Sequence, residues 1–327
     1  MRPTPIAMNK KLRIPSFLAK LVLTLLSQCF VADMIAQQEP EFAHYFELET
    51  QFNPAAVGKS TQLLINGAYQ SHATGYDDAG GTMLLMANTA FQVLGSRHGV
   101  GALFQNDEIG LFSTKRFALQ YAFHFKLFGG VMSVGAEADM INESVDGTKV
   151  DLADANDPAF PGSEMTGSAF GFTTGLYYQR GAFHAGVSAM HLTSPKLEIG
   201  ETNEYQLKPH YYFTAGYNIR THNPFFKIEP RVLLRYDGTE FRANITAALR
   251  YEREKKRLYG GVTYTPERSV TAFVGGQFHG VNLSYSYEAF TSGLGLGYGQ
   301  HEVTLGYSLD LDFSKRGRNY HKSVRWL

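Results

Sequence analysis

STKRFALQYAFHFKLF, residues 113–128, alternates with a period of two. Phe117, Leu119, Tyr121, Phe123, Phe125 and Leu127 fall on one face, while Arg116, Gln120, His124 and Lys126 fall on the other. This is the spacing of a β-strand, whose successive side chains point to opposite sides of a sheet. A soluble sheet could bury the apolar face against a core. The same pattern, however, recurs in nearly every later segment, with Gly, Asn, Arg or Tyr on the second face, and that makes too many one-sided strands for one core. A closed wall with lipid outside and a polar lumen inside satisfies all of them at once.

Working outward from this stretch, strands are predicted to begin near residues 62, 82, 98, 113, 131, 167, 182, 207, 225, 239, 257, 269, 280 and 301. Each is roughly nine to sixteen residues, enough to cross a bilayer at a tilt. Turns at Gly95 to Arg97, Gly129 to Gly130, Gly181, Thr221 to Pro224, Glu254 to Lys256 and His279 to Gly280 fall on one side. Connections at 74–81, 106–112, 144–166, 193–206 and 291–300 fall on the other, joined by short ones at Asp237 to Gly238 and Glu267 to Arg268. Short periplasmic turns and longer outward loops are the habit of outer-membrane barrels. The expected fold is therefore all-β: a transmembrane, antiparallel, up-and-down β-barrel of about 14 strands. The final strand alternates Val303, Leu305, Tyr307, Leu309, Leu311 and Phe313 with Thr304, Gly306, Ser308, Asp310 and Asp312.

Composition agrees: Tyr (19), Phe (24) and Gly (33) are abundant, mean hydropathy is negative, and Trp occurs once. After residue 36 there is no apolar run of about 18 residues, which excludes crossing as helices. Residues 1–36 read as a signal peptide, with Lys10, Lys11 and Arg13 before an apolar stretch from about Phe17 to Ile35. The only cysteine, Cys29, lies within it, so the mature chain has no disulfide and no thiol chemistry. Residues 37–61 then form an N-terminal periplasmic or lumenal segment, 62–313 the transmembrane β-barrel, and 314–327 a basic periplasmic tail. The tail carries Lys315, Arg316, Arg318, Lys322 and Arg325 with no acid, a candidate docking peptide for a periplasmic partner or simply a polar end. Residues 37–327 are left with a net charge of about −4, and nothing in them suggests nucleic acid.

Several segments resemble one family. Glu39-Pro40-Glu41-Phe42-Ala43-His44-Tyr45, followed by Phe52-Asn53-Pro54-Ala55-Ala56-Val57-Gly58, is similar to the opening signature of PorP/SprF proteins. That signature usually runs D-P-Q-F-S-x-Y and then Y-N-P-A-x-A-G, so Glu39, Glu41, Phe52 and Val57 are departures. Gly99-Val100-Gly101 with Asn106-Asp107-Glu108-Ile109-Gly110, and Asp157-Pro158-Ala159-Phe160, match later motifs of the family. So do Gly186-Val187-Ser188 with His191-Leu192, Tyr212-Phe213 with Ala215-Gly216-Tyr217, Ser284-Tyr285-Ser286-Tyr287, and the run His301-Glu302-Val303-Thr304-Leu305-Gly306-Tyr307. The resemblance covers residues 39–313. It implies a non-enzymatic outer-membrane component of the type IX secretion system of a Gram-negative bacterium, with outer-membrane lipid, periplasmic machinery and secreted or surface-attached cargo, in some bacteria gliding adhesins, as partners. A passive porin or substrate-specific channel is the alternative.

Other constellations carry less. Val57-Gly58-Lys59-Ser60 ends like a phosphate-binding loop, but its first glycine would fall at Asn53, so a turn opening the first strand is the better reading. Glu143, Asp146, Asp151, Asp154, Asn156, Asp157 and Glu164 offer oxygen ligands for Ca²⁺, without the glycine and terminal glutamate of an EF-hand; a solvated acidic loop is favoured. Gly293, Gly295, Gly297 and Gly299 fit a flexible passage from loop to strand, and no cofactor is expected. Lys227, Arg231, Arg235, Arg242 and Arg250 face inward from later strands and Glu137 and Asp139 from an earlier one, to pair across a filled lumen or polarise an open one. His124, His184 and His210 also face inward, without a spacing that orients a nucleophile.

Overall fold

The computed structural model describes residues 39–72, 80–147, 164–199, 203–254, 256–292 and 299–310. The signal, the tail with Lys315, Arg316, Arg318, Lys322 and Arg325, and the loop motif Asp157-Pro158 lie outside these residues. Strands β1 (Leu63–Ser71), β2 (Gly81–Val93), β3 (Ser96–Ile109), β4 (Phe112–Leu127), β5 (Gly130–Asp146), β6 (Glu164–Arg180) and β7 (Phe183–Met190) make half of the wall. After a small hairpin, β8 (Lys196–Ile199) and β9 (Asn203–Gln206), the wall resumes with β10 (His210–Tyr217), β11 (Ile219–Arg220), β12 (Phe226–Tyr236) and β13 (Phe241–Arg253). It ends with β14 (Lys256–Thr265), β15 (Ser269–Phe278), β16 (Val281–Phe290) and β17 (Gln300–Leu309).

Each wall strand pairs antiparallel with its neighbours, and β1 closes the cylinder on β17, Leu63 opposite Leu309 and Ser71 opposite His301. The segments β10 and β11 are one crossing. Their register on β12 is continuous, from Gly216 opposite Arg231 to Ile219 opposite Ile228. The ladder lapses only where Pro230, which has no N–H to give, faces it. The barrel therefore has fourteen crossings, each starting within three residues of its expected position.

The expected polarity is present. On β4, Phe117, Leu119, Tyr121 and Phe123 are exposed on the outside, whereas Arg116, Gln120 and His124 are buried inside. Such an outer surface would be untenable in water and suits hydrocarbon. Three periplasmic turns, Leu94-Gly95, Phe128-Gly129 and His279-Gly280, have two residues each, both at positive φ. This turn geometry matches the right-handed twist of paired strands.

Two connections differ from expectation. Residues 106–109 are strand, not loop: Asn106 pairs with Lys115 and Asp107 with Thr114, and the turn tightens at Gly110 (φ 59°). Their polarity suits the lumenal rim as well as it suits a loop. Within the expected loop 193–206, β8 and β9 fold back, so that Leu197 and Leu207 pack on inward-facing Ile141 and Ala169. The hairpin thus covers part of the outer mouth. The last strand stops at Leu309, and Leu311, Asp312 and Phe313 lie outside the described residues.

Candidate functional site

Residues 39–61 run through the lumen. Glu39 lies near the outer ends of β7 and β10, and Lys59 near the periplasmic turn beside Arg97. The segment forms two short 3₁₀ turns, Glu49–Gln51 and Pro54–Ala56, and a further turn in which the Glu47 and Leu48 amides reach His44 O. These turns satisfy the carbonyls of His44, Leu48, Glu49, Asn53 and Pro54 from within, and burying others unpaired would be costly. Inward side chains of the wall supply donors to those others. Arg235 reaches Glu39 O (3.2 Å), Gln70 reaches Glu41 O (2.9 Å) and Gln120 reaches Thr50 O (2.6 Å). The Arg116 guanidinium lies 3.4 Å from Gln51 O, Ser133 donates to Ala55 O (2.6 Å), His124 Nε2 to Val57 O (2.9 Å) and Arg97 to Lys59 O (3.3 Å). The polar half of the two-residue repeat is therefore a lining shaped to one peptide.

Apolar contacts fix the depth. Phe42 and Leu48 pack with Ala68, Leu84, Met86, Leu103 and Ala118, while Tyr45 and Phe52 pack with Met190, Tyr212 and Leu233. The Phe52 and Tyr212 rings stack with centroids 5.1 Å apart. Asn53 Oδ1 accepts from the Ala55 N–H (3.0 Å) and caps the turn at Pro54, while its Nδ2 donates to Leu176 O (3.2 Å). Below this, Gly58 sits at φ +72° against Gly99, where an added Cβ would come within 2.6 Å of the Gly99 Cα. Gly135 is needed for the same reason, since a Cβ there would meet the backbone of Ala55. Lys59, in the segment that resembles a phosphate loop, pairs with Glu49 of the same plug.

Glu302, on the closing strand, holds the upper plug. Its carboxylate accepts from the Ala43 N–H (2.5 Å), the His44 N–H (3.1 Å) and His44 Nδ1 (2.7 Å). Glu41 is held by Arg235 (2.8 Å) and Arg268 (3.7 Å) and by the Asn244 amide. Burial pushes the Glu41 carboxyl upward, but Arg235 and Arg268 outweigh it and leave it below the usual carboxylate range. Burial acts likewise on Glu39 and Glu49, and is outweighed by the His191 hydrogen bond and by Lys59 respectively, so both are lowered. Depressed carboxyls stabilise the packed plug fully above their unfolded value near pH 4.5, and that contribution is lost as pH falls through the lower folded values. Protease access to residues 39–61 in detergent is thus expected to be higher at about pH 3 than at pH 7, as these carboxylates protonate. Equal access at the two pH values would contradict these anchors.

The structure gathers seven of the thirteen family-motif positions. Pro40, Phe42, Tyr45, Asn53, Pro54 and Gly58 lie on the plug and Glu302 on the wall that grips it. The Pro40 carbonyl accepts from Gln51 (3.1 Å), and Tyr45 Oη donates to Thr246 (3.0 Å). Asn106, Asp107 and Gly110 lie apart at the outer rim, where Asp107 accepts from Thr82 (2.5 Å). His301 is separate, its Nδ1 2.7 Å from the Tyr285 hydroxyl. The charged walls do not pair with each other across the lumen. Glu137 and Asp139 are taken by Arg116 on the adjacent strand, while Arg231 (2.6 Å) and Arg250 (2.8 Å) share Glu229. Lys227 pairs with Glu252 and Arg242 with Glu240. Of the five inward cations, Arg235 reaches a carboxylate of the plug, Glu41 (2.8 Å). Of the calcium candidates, Glu143, Asp146 and Glu164 are strand residues, and Asp151, Asp154, Asn156 and Asp157 lie outside the described residues. Gln70, Arg116, Gln120 and Ser133 were not singled out as site residues by the sequence; their signal was only membership of the polar face.

A fourteen-crossing barrel, apolar outside and filled by its own N-terminal segment, defines this as an outer-membrane β-barrel with a plugged lumen. The family model for the type IX secretion system membrane protein PorP/SprF matches residues 34–307, and the chain belongs to that family. Among solved structures it is similar to a Pseudomonas aeruginosa FadL homologue, at 11% identity with a TM-score of 0.50, covering 80% of this chain and 93% of that one. It is also similar to the P. putida toluene transporter TodX, at 10% identity with a TM-score of 0.49, covering 80% and 94%. At 11% identity the likeness to the FadL homologue speaks to the fold alone. No curated protein matches the chain.

Proposed function

We propose that this outer-membrane barrel serves type IX secretion by binding: its outer loops hold exported or surface-attached protein, and its periplasmic face and basic tail hold the machinery. The role is positional and involves no bond-making. The observation that supports this reading is the plug, whose backbone is hydrogen-bonded along its length by the lining, an arrangement suited to a rigid platform and poorly suited to free solute flow. The outer mouth, partly covered by the β8–β9 hairpin, is the surface offered to cargo.

The test is affinity purification from mildly solubilised outer membranes, followed by mass spectrometry of what stays bound. The full chain should retain secretion machinery and a secreted protein. Deleting 314–327, with Lys315, Arg316, Arg318, Lys322 and Arg325, should leave the barrel inserted and its cargo bound while a periplasmic component is lost. Unchanged retention of every component after truncation rejects docking by the tail. A full chain that retains nothing, yet forms a steady solute-selective pore, supports a channel instead.

A further inference from the structure

At the outer end of the plug, Glu39 meets His191 and His210, and one ligand atom from each lies within 4.8 Å of the other two. The three come from different elements: the plug, the residue just after β7, and the first residue of β10. His191 and His210 are 0% and 2% exposed. Glu39 Oε1 lies 2.8 Å from His191 Nε2, which satisfies one imidazole nitrogen. His210 Nδ1 is buried without a hydrogen-bond partner, an arrangement that is rare unless something else occupies the site, whereas His191 Nδ1 faces Asp139. His191 also holds a left-handed backbone (φ 52°), a conformation unfavourable for a residue with a Cβ that the fold maintains while placing this ring.

We propose that Glu39, His191 and His210 bind a first-row transition-metal dication, with Zn²⁺ the best fit. Two imidazoles and one carboxylate are the donors such ions take, whereas Ca²⁺ and Mg²⁺ prefer oxygen alone. Ligand atoms around a tetrahedral zinc stand roughly 3.4 Å apart, so small side-chain rotations close the set onto an ion. Asp139 stands behind His191: its Oδ2, which accepts from Arg116 Nε (3.1 Å), lies 3.9 Å from His191 Nδ1, and its Oδ1 has no hydrogen-bond partner. A carboxylate behind a metal-bound imidazole fixes the ring and strengthens it as a ligand. A cavity of about 100 Å³ adjoins the set, lined by Glu39 and His210 together with Asp107, Glu143 and Arg116. Arg116 brings positive charge, which Glu137 and Asp139 balance, so the carboxylates favour a cation there. Bound metal would tie the start of the plug to two strands of the wall.

The test uses untagged full-length barrel in detergent, freed of metal by a chelator and titrated with ZnCl₂ by calorimetry and with CoCl₂ by visible absorption. One equivalent of Zn²⁺ is expected, with a tetrahedral Co²⁺ spectrum that Zn²⁺ displaces and CaCl₂ does not. Glu39→Gln and His210→Ala should each weaken that equivalent at least about tenfold. Glu39 belongs to the plug rather than the wall, so Glu39→Gln keeps the barrel, as heat-modifiable migration of the unboiled protein will show. Equal zinc affinity and stoichiometry in wild type and both variants, or no zinc binding by wild type, overturns the proposal.

Discussion

A barrel that lacks residues 39–60 should conduct, where the intact protein should not. The fourteen paired crossings do not need the plug to close, because the hydrogen bonds that make the cylinder run from strand to strand and from β1 to β17. What the plug loses on deletion is its lining. Gln70, Arg97, Arg116, Gln120, His124, Ser133 and Arg235 would give up peptide carbonyls and take water in their place, a change polar groups tolerate at modest net cost. Fourteen strands enclose a lumen too wide for the remaining side chains to fill. In planar bilayers, conductance of the deletion should exceed that of the full chain by at least about tenfold. Equal conductance of the two proteins, both folded by heat-modifiable migration, would mean that the segment does not seal the lumen.

Replacing Glu302 with alanine should have the next largest effect. Glu302 is 1% exposed and is the acceptor for the Ala43 and His44 amides and for the His44 ring, three donors on one short stretch of plug. Alanine leaves the His44 amide and ring buried without this partner and the Ala43 amide half-buried, a destabilisation of the seated plug of about 3–5 kcal/mol. The wall itself loses little, since the main-chain pairing of Glu302 with Gln70 and Ser286 is kept. Limited proteolysis should therefore cut residues 39–48 in Glu302→Ala under conditions where the wild type resists, with the barrel band intact. Glu302→Gln, which keeps one acceptor oxygen, should fall between the two. Wild-type resistance in Glu302→Ala would show that the apolar contacts of Phe42, Leu48 and Phe52 and the remaining lining hydrogen bonds hold the plug without Glu302.

Both results bear on how the family role is carried out. A barrel sealed by a peptide gripped at its carbonyls presents two fixed ends to secretion partners. A barrel that opens easily would be closer to a channel. The two variants separate these behaviours without altering the outer loops or the tail.

The sequence by itself determined the wall. A period-two alternation such as Phe117 to Leu127 against Arg116 to Lys126 is a local property, and so are the Gly-containing turns after Val93, Leu127 and Phe278. Those features sufficed for the strand number and the side that meets lipid, and the N-terminal motif with Asn53, Pro54 and Gly58 sufficed for the family. Only the tertiary structure decided what the inner face is for. That Gln120 serves Thr50, that Ser133 serves Ala55, and that Glu302 holds His44 across more than 250 residues of chain follows from cylinder closure, which brings together positions with no fixed separation in sequence. The pairing of Arg231 and Arg250 with Glu229, rather than with the distant Glu137, has the same origin. Charge attraction acts on distances in space, and those were set by strand register and by the path of the plug.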